Sequence, residues 1–312
     1  MKKEIWVDCR KSGYLEKLSG MYGVTGIFGK SSRNLQSNTD TVYRITSNKD
    51  IEELPLDKEY LFVEFSDWNV IPAENLIAKF PKTKIIVKTN NIEEMKTLKT
   101  TLEKGVAGFL VDEEASLIET CSLYKPSPKL KLVDGIVKEV KTIELGKRVC
   151  LDGIMSYKPR EGLLVGFSSG FMFLADGETT ENNYINTREW RVNAGAASLY
   201  TLCKRDSIIT PRLLDDLVSG DEVVVVGADG ETRIETVGRL KKEIRPMTFI
   251  KAEYNGKIGS TCSQTAETVR LVTPEGAKPI KEIKVGDKVK LYITEEIATH
   301  SGRPVEEKIT EI

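Results

Sequence analysis

Only one histidine, His300, occurs in the 312 residues. A mechanism that needs a histidine pair, or a histidine-rich metal site within one chain, is therefore excluded. The five cysteines (Cys9, Cys121, Cys150, Cys203 and Cys262) are odd in number, widely spaced and without a C-x-x-C pair. That argues against a disulfide framework and a thiolate zinc site, and it fits a reducing, cytoplasmic compartment. No apolar run reaches the roughly 18 residues of a membrane-spanning helix. The start, MKKEIWVDCRKSG, lacks the apolar stretch of a signal peptide. A formal net charge of −1 supplies no field to recruit nucleic acid or an anionic membrane, so neither is expected as a partner. No G-x-G-x-x-G follows a strand-like run and opens a helix, so a nicotinamide cofactor would have no fingerprint here. VTGIFGKS (24–31) ends like a phosphate loop, but Val24 stands where that motif needs glycine. It reads as a strand ending in a glycine turn.

What the chain does contain is an ordinary globular balance, 40% hydrophobic and 30% charged residues. The first third alternates strands and helices. KEIWVD (3–8), VTGIFG (24–29), TVYRIT (41–46), YLFVEFS (60–66), KIIVKT (84–89) and AGFLVD (107–112) have strand length. The segment 91–105 reads as a helix, with Asn91 as its cap, Glu94 three residues on, and Gly105 as its stop. Ile92, Met95, Leu98 and Leu102 are expected on its apolar face. PAENLIAKF (72–80) is a second helix. This pattern predicts an α/β part over residues 1–135 with a parallel sheet, open or curved like a barrel. Residues 136–312 are strand-rich and predict a β-rich part with small barrel-like modules. LDDLVSGDEVVVV (214–226) and IKEIKVGDKVKLYI (280–293) echo one another, each predicting a helical turn, a Gly-Asp turn and a strand. The charged segment 138–148 is expected near the junction of the parts.

Asp8 and Glu64 lie at the ends of expected parallel strands, where catalytic groups collect. GETTENNYINTREWRVNAGA (177–196) packs three carboxylates, two arginines and four asparagines into twenty residues. Arg188 and Arg191 offer planar forks that suit a carboxylate or phosphate. Glu178 and Glu181 suit proton transfer or a hard metal ion. Strand alternation predicts Trp190 and Val192 toward the core, and Arg191 and Asn193 on the other face. An internally satisfied ion-pair network fits the same residues.

ETTENNYINTREWRVNAGAASLYTL (178–202) resembles the core motif of the type II 3-dehydroquinate synthase family, which includes the related 3-amino-4-hydroxybenzoate synthase. LFVEFSDWNVIPAENLIAKF (61–80), GKRVCLDGIM (146–155), GLLVGFSSGFMFL (162–174), RIETVGRLKKEIRPM (233–247), QTAETVRLV (264–272) and THSGRPVEEKI (299–309) follow in the family's order. The resemblance implies an amino-dideoxy-heptulosonic acid substrate. One branch deaminates it oxidatively with NAD and closes a carbocycle; the other keeps the nitrogen and aromatises the ring with manganese. It also implies roles: Arg188, Arg191 and Asn193 hold anionic and hydroxyl groups, Glu178 and Glu181 move protons or, for Glu178, bind the metal, and His300 assists. Asp176 and Gly177 depart from the family's His-Ser before that glutamate, and Gly153 and Ile154 from its Thr-Cys. A catalytically silent homologue that binds a sugar acid or a partner is a third reading.

Overall fold

The computed structural model describes residues 3–10, 24–28, 41–124, 127–205, 208–294, 298–300 and 303–305, the last two stretches as backbone. The chain divides into two compact units, Met1–Pro126 and Ser127–Ile312.

In the first unit six strands form one sheet: β1 (Glu4–Asp8), β2 (Gly26–Phe28), β3 (Val42–Ile45), β4 (Tyr60–Phe65), β5 (Lys84–Lys88) and β6 (Gly108–Val111). Helices α1 (Asn48–Glu52), α2 (Val70–Lys79), α3 (Ile92–Leu98) and α4 (Glu114–Tyr124) lie between or after them. Every pairing is parallel, and the order is β2-β1-β6-β5-β4-β3. Because β6 pairs with β1, the strands follow chain order around a curled half-barrel that is open between β2 and β3.

Strand alternation explains its two apolar layers. Trp6, Phe28, Tyr60, Phe62, Ile86 and Leu110 cluster on one face. Val7, Val63, Val87 and Phe109 take the other, under Leu76, Met95, Leu98 and Leu117 of the helices. Asn91 caps α3 by accepting the Glu93 and Glu94 N–H groups. The helix ends sooner than its spacing predicts. The Val106 N–H closes back on the Leu98 carbonyl, and Leu102 takes a left-handed φ of 52°. Leu102 is therefore 52% exposed instead of joining the apolar face.

The second unit is built on two long antiparallel strands, β7 (Leu132–Gly153) and β14 (Thr232–Tyr254). Around them lie β8 (Glu161–Ser168), β9 (Phe171–Glu178), β10 (Arg188–Ala196), β11 (Tyr200–Arg205), β12 (Ile208–Leu213) and β13 (Glu222–Gly227). β15 (Lys257–Gln264), β16 (Arg270–Val272), β17 (Ala277–Pro279) and β18 (Lys288–Ile293) complete the large sheet. Its pairings close a ring, β8-β9-β10-β7-β14-β13-β8, the barrel-like module expected from the sequence. Val149, Leu151, Leu163, Phe173, Val192 and Val225 belong to its apolar core. The charged segment 138–148 is the middle of β7, paired with β14. Alternation lets its lysines face water, as Lys138 does beside Glu253.

The internal echo is structural. Each copy has a single 3-10 turn, Leu214–Asp216 and Ile280–Glu282, with Leu214 and Ile280 fully buried. Gly220 and Gly286 then turn with φ 93° and 94°. Asp221 accepts the Val218 N–H, and Asp287 accepts the Lys284 N–H at the same three-residue offset. The β13 and β18 strands follow.

Gly195 bends β10 at φ +107°, and a Cβ there would stand 2.5 Å from the Cys262 carbonyl oxygen. Gly195→Ala should lower stability by roughly 1–3 kcal/mol, since both the dihedral and the space forbid it. Gly256, at φ +79° with nothing within 4 Å, should tolerate alanine better. Equal melting temperatures for the two variants would contradict this account of Gly195.

Candidate functional site

Alternation along β7 sets Arg148, Cys150 and Asp152 on the face opposite Val149 and Leu151. All three are buried. The flanking strands add polar residues in register: Arg191 opposite Asp152 and Asn193 opposite Cys150 on β10, and Arg239, Lys241 and Glu243 along β14. Asp152 accepts from Arg191 Nε at 2.6 Å and Nη2 at 2.8 Å. It also accepts from Arg239 Nε at 2.8 Å and Nη2 at 2.5 Å. Burial works against the Asp152 charge, but the two guanidiniums outweigh it and hold the carboxyl below its ordinary pKa. Arg148 lies against Glu243 and Cys150. Asn193 Nδ2 donates to Gln264 Oε1 at 2.9 Å, while its Oδ1 is buried without a hydrogen-bond partner.

The expectation for Trp190 requires correction. β10 slips register against β9 between Arg188 and Val192. Val192 enters the core, but Trp190 is 45% exposed, and Arg191 and Asn193 are the buried pair. The irregularity breaks the link between alternation and burial at this end of the strand. The fork of Arg191 is filled by Asp152, a partner 39 residues away that the sequence reading does not single out.

Glu178 ends β9 and is buried, with Arg188 Nε 2.8 Å from its Oε2. Burial pushes its carboxyl above the usual range, against the pull of Arg188, Arg191 and Arg148. The Arg188 side chain is 36% exposed. A narrow cleft of about 10 Å³ runs beside the pair, lined by Gly177, Asn182, Asn186 and Arg270 among others. Glu181 stands apart on the exposed connection between β9 and β10. Asp176, 4% exposed, has its pKa raised to about 7 by burial, with the Arg270 charge opposing. Its Oδ1 has no hydrogen-bond partner.

In the first unit, Asp8 closes β1 and is 1% exposed. Arg10 grips it through Nε at 2.9 Å and Nη2 at 2.7 Å. Burial would raise its pKa, but Arg10 and Lys88 bring it below the ordinary carboxylate value. Glu64, near the end of β4, is exposed. Lys88 adjoins both Asp8 and Asp112, and neither it nor Asp112 is among the residues expected from the sequence. They stand at strand ends as Asp8 does, so the same signal could have marked them. His300 ends a two-stranded ribbon, Ala298–His300 with Arg303–Val305, and its side chain lies outside the described residues. So do residues 29–31 of the VTGIFGKS segment.

Among the described residues, no group of three or more His, Cys, Asp or Glu side chains could hold a metal ion. Glu178 faces arginines instead of further carboxylates. The described residues thus assemble no cage for manganese. Nor, among them, is any helix long and apolar enough to cross a membrane.

Comparison with known proteins covers both units. Residues 3–121 match the 3-dehydroquinate synthase II N-terminal domain, and residues 134–312 match its C-terminal domain. A 3-dehydroquinate synthase of Archaeoglobus fulgidus is 38% identical over 275 residues, covering 87% of this chain and 83% of its own. Those of Korarchaeum cryptofilum and Methanocaldococcus jannaschii are 36% and 39% identical, covering 87% and 91% of this chain and 82% and 81% of their own. No solved structure matches the chain.

Two measurements test the electrostatics. Arg191→Ala leaves Asp152 buried with half its partners and should cost about 3–5 kcal/mol. Arg191→Lys should recover only part, because an ammonium cannot fill both carboxylate oxygens. Chemical denaturation that finds the alanine variant as stable as the parent would contradict this. For Asp176 the folded pKa of about 7 lies above the ordinary 3.8, so the native state binds the proton more tightly. The penalty is absent below the lower value, grows as pH rises, and is complete above the higher one. Asp176→Asn should therefore gain stability over the parent toward pH ~8, by up to about 4 kcal/mol, and lose that advantage near pH ~4. A pH-independent difference would contradict the assignment.

Proposed function

Because the chain belongs to the 3-dehydroquinate synthase II family, we propose that it makes 3-dehydroquinate from an amino-dideoxy-heptulosonic acid by oxidative deamination and ring closure. The observation that carries this reading is the succession of both family domains along one chain, in order, over nearly its whole length. NAD is the proposed cofactor, and when bound it would accept the hydride from the carbon that bears the amine.

The chain's own residues take separable parts in this proposal. Arg188, half-exposed beside the cleft, offers its guanidinium to the substrate carboxylate. Arg191 supports that edge from behind through Asp152, so its charge is fixed before substrate arrives. Asn193 presents an unsatisfied Oδ1 that suits a hydroxyl or ammonium donor. Glu178 moves a proton: burial holds its pKa up, toward the range where a carboxyl can both take and return one. Glu181, His300, Glu64 and Asp8 remain candidates for further proton transfers. Of these, Asp8 is held as a carboxylate by Arg10.

With the amino-heptulosonate and NAD, the absorbance of reduced nicotinamide should rise in step with substrate loss. Glu178→Gln keeps the shape but removes the base, and should slow turnover by about 10²–10⁴-fold. Glu181→Gln, on an exposed connection, should slow it far less. A dead Glu181→Gln beside a fully active Glu178→Gln would reverse the roles. An aromatic product formed without NAD would replace the reading with the aminohydroxybenzoate one.

A further inference from the structure

The two ends of the half-barrel are chemically unlike. At the N-terminal ends of its strands, Lys84 Nζ is 2.8 Å from Tyr60 Oη and 2.9 Å from Glu4 Oε1. Those contacts raise its pKa, led by the Tyr60 hydroxyl and the Glu4 carboxylate. Lys84 is a closed part of the scaffold. Lys88 lies on the same strand and, two alternations later, on the same face, at the C-terminal end. Its Nζ is 3.5 Å from Asp112 Oδ2 and 4.0 Å from Asp8 Oδ2. It thus sits between two carboxylates without a close hydrogen bond to either, and its side chain keeps 16% of its exposure.

The surroundings fix this arrangement. β6 lies between β1 and β5, so Asp8, Asp112 and Lys88 form a row across three neighbouring strands. Asp8 is held by the two-point grip of Arg10. Asp112 Oδ1 accepts from Asn90 Nδ2, and the Asp112 N–H donates to Asn90 Oδ1 at 3.2 Å. That exchange turns Oδ2 toward the lysine. On the same face, Ile86 packs with Phe62 and Leu110 in the interior, below the row among the described residues. The carboxyl ends of parallel strands are where this architecture places reacting groups, whereas the opposite end serves stability.

We propose that Lys88 is a catalytic amine that forms a Schiff base with a ketone of the substrate. The proposal rests on the amino-heptulosonate reading given above. Asp112 takes a proton from the Lys88 ammonium, and the free amine attacks the ketone carbon. The carbinolamine oxygen takes one proton from the added nitrogen and a second back from Asp112 and leaves as water, and an iminium remains. That cation replaces the ammonium between Asp8 and Asp112, so the charge for which the site is built is conserved. Loss of a proton from the adjacent carbon to a carboxylate gives an enamine, a carbon nucleophile suited to closing a ring onto a second carbonyl.

The test is reductive trapping. The full chain is incubated with the amino-heptulosonate, with and without NAD, then treated with borohydride and digested for mass spectrometry. A reduced adduct on the peptide that carries Lys88 is expected. Lys88→Arg keeps the cation but cannot form an imine. It should melt with the parent, take no label and lose turnover by at least about a hundredfold. A purely structural lysine would be rescued by arginine. Turnover without label at Lys88, label confined to other lysines, or an active Lys88→Arg would overturn the proposal. Dihydroxyacetone serves as a second probe and separates the two readings. Labelling of Lys88 by it in a protein that does not turn over the amino-heptulosonate would keep the amine and discard that substrate. Absence of label with both probes would discard the amine.

Discussion

The buried Asp152 carboxylate, held by Arg191 and Arg239, is the constraint on which the second unit turns. It joins three adjacent strands, β10, β7 and β14, on the face away from the apolar core. A carboxylate buried so deeply is costly unless its oxygens are satisfied, and here two guanidiniums satisfy them. With Arg191 on Asp152, Asn193 two residues on bonds Gln264, and between Arg188 and Val192 the strand slips register against β9. The slip brings Arg188, not Arg191, beside Glu178. The motif's two arginines are thus placed differently: Arg191 lies on Asp152, and Arg188 stands by Glu178 at the cleft.

The first unit follows the opposite logic. Among the described residues its interior is filled by aromatic and aliphatic side chains through the middle of the strands, with charged groups at both ends. At one end Lys84, Glu4 and Tyr60 satisfy each other closely. At the other, Asp8 is held by Arg10 and Asp112 by Asn90, and Lys88 is left between them. Parallel strands joined through helices leave their carboxyl ends free of scaffold duty, which is why loosely held charge collects there.

Much of the fold was legible because it depends on local patterns. Each of the six N-terminal strands falls inside an apolar run of strand length, and Asn91 caps its helix as the cap chemistry requires. The Gly-Asp echo was legible for the same reason: a buried aliphatic turn, a glycine at positive φ and an aspartate capping a backbone N–H are all short-range. What was not legible depends on distant partners. Nothing near Arg191 announces Asp152, and nothing near Trp190 announces the register slip that exposes it. Leu102 fits a helical face by spacing, yet the Val106 N–H closes the turn first. The strand-end position of Lys88 is legible in the sequence, but its partner Asp112, across the β5–β6 pairing, is not.

The proposed reaction removes nitrogen from an amino-heptulosonate and closes its carbon ring. Following the fate of that nitrogen tests it most directly. Substrate labelled with heavy nitrogen at the amine should, with NAD present, release all of its label as ammonia and yield nitrogen-free 3-dehydroquinate, identified by mass and NMR. Label retained in a cyclic product, or ammonia released without a ring, would contradict the account.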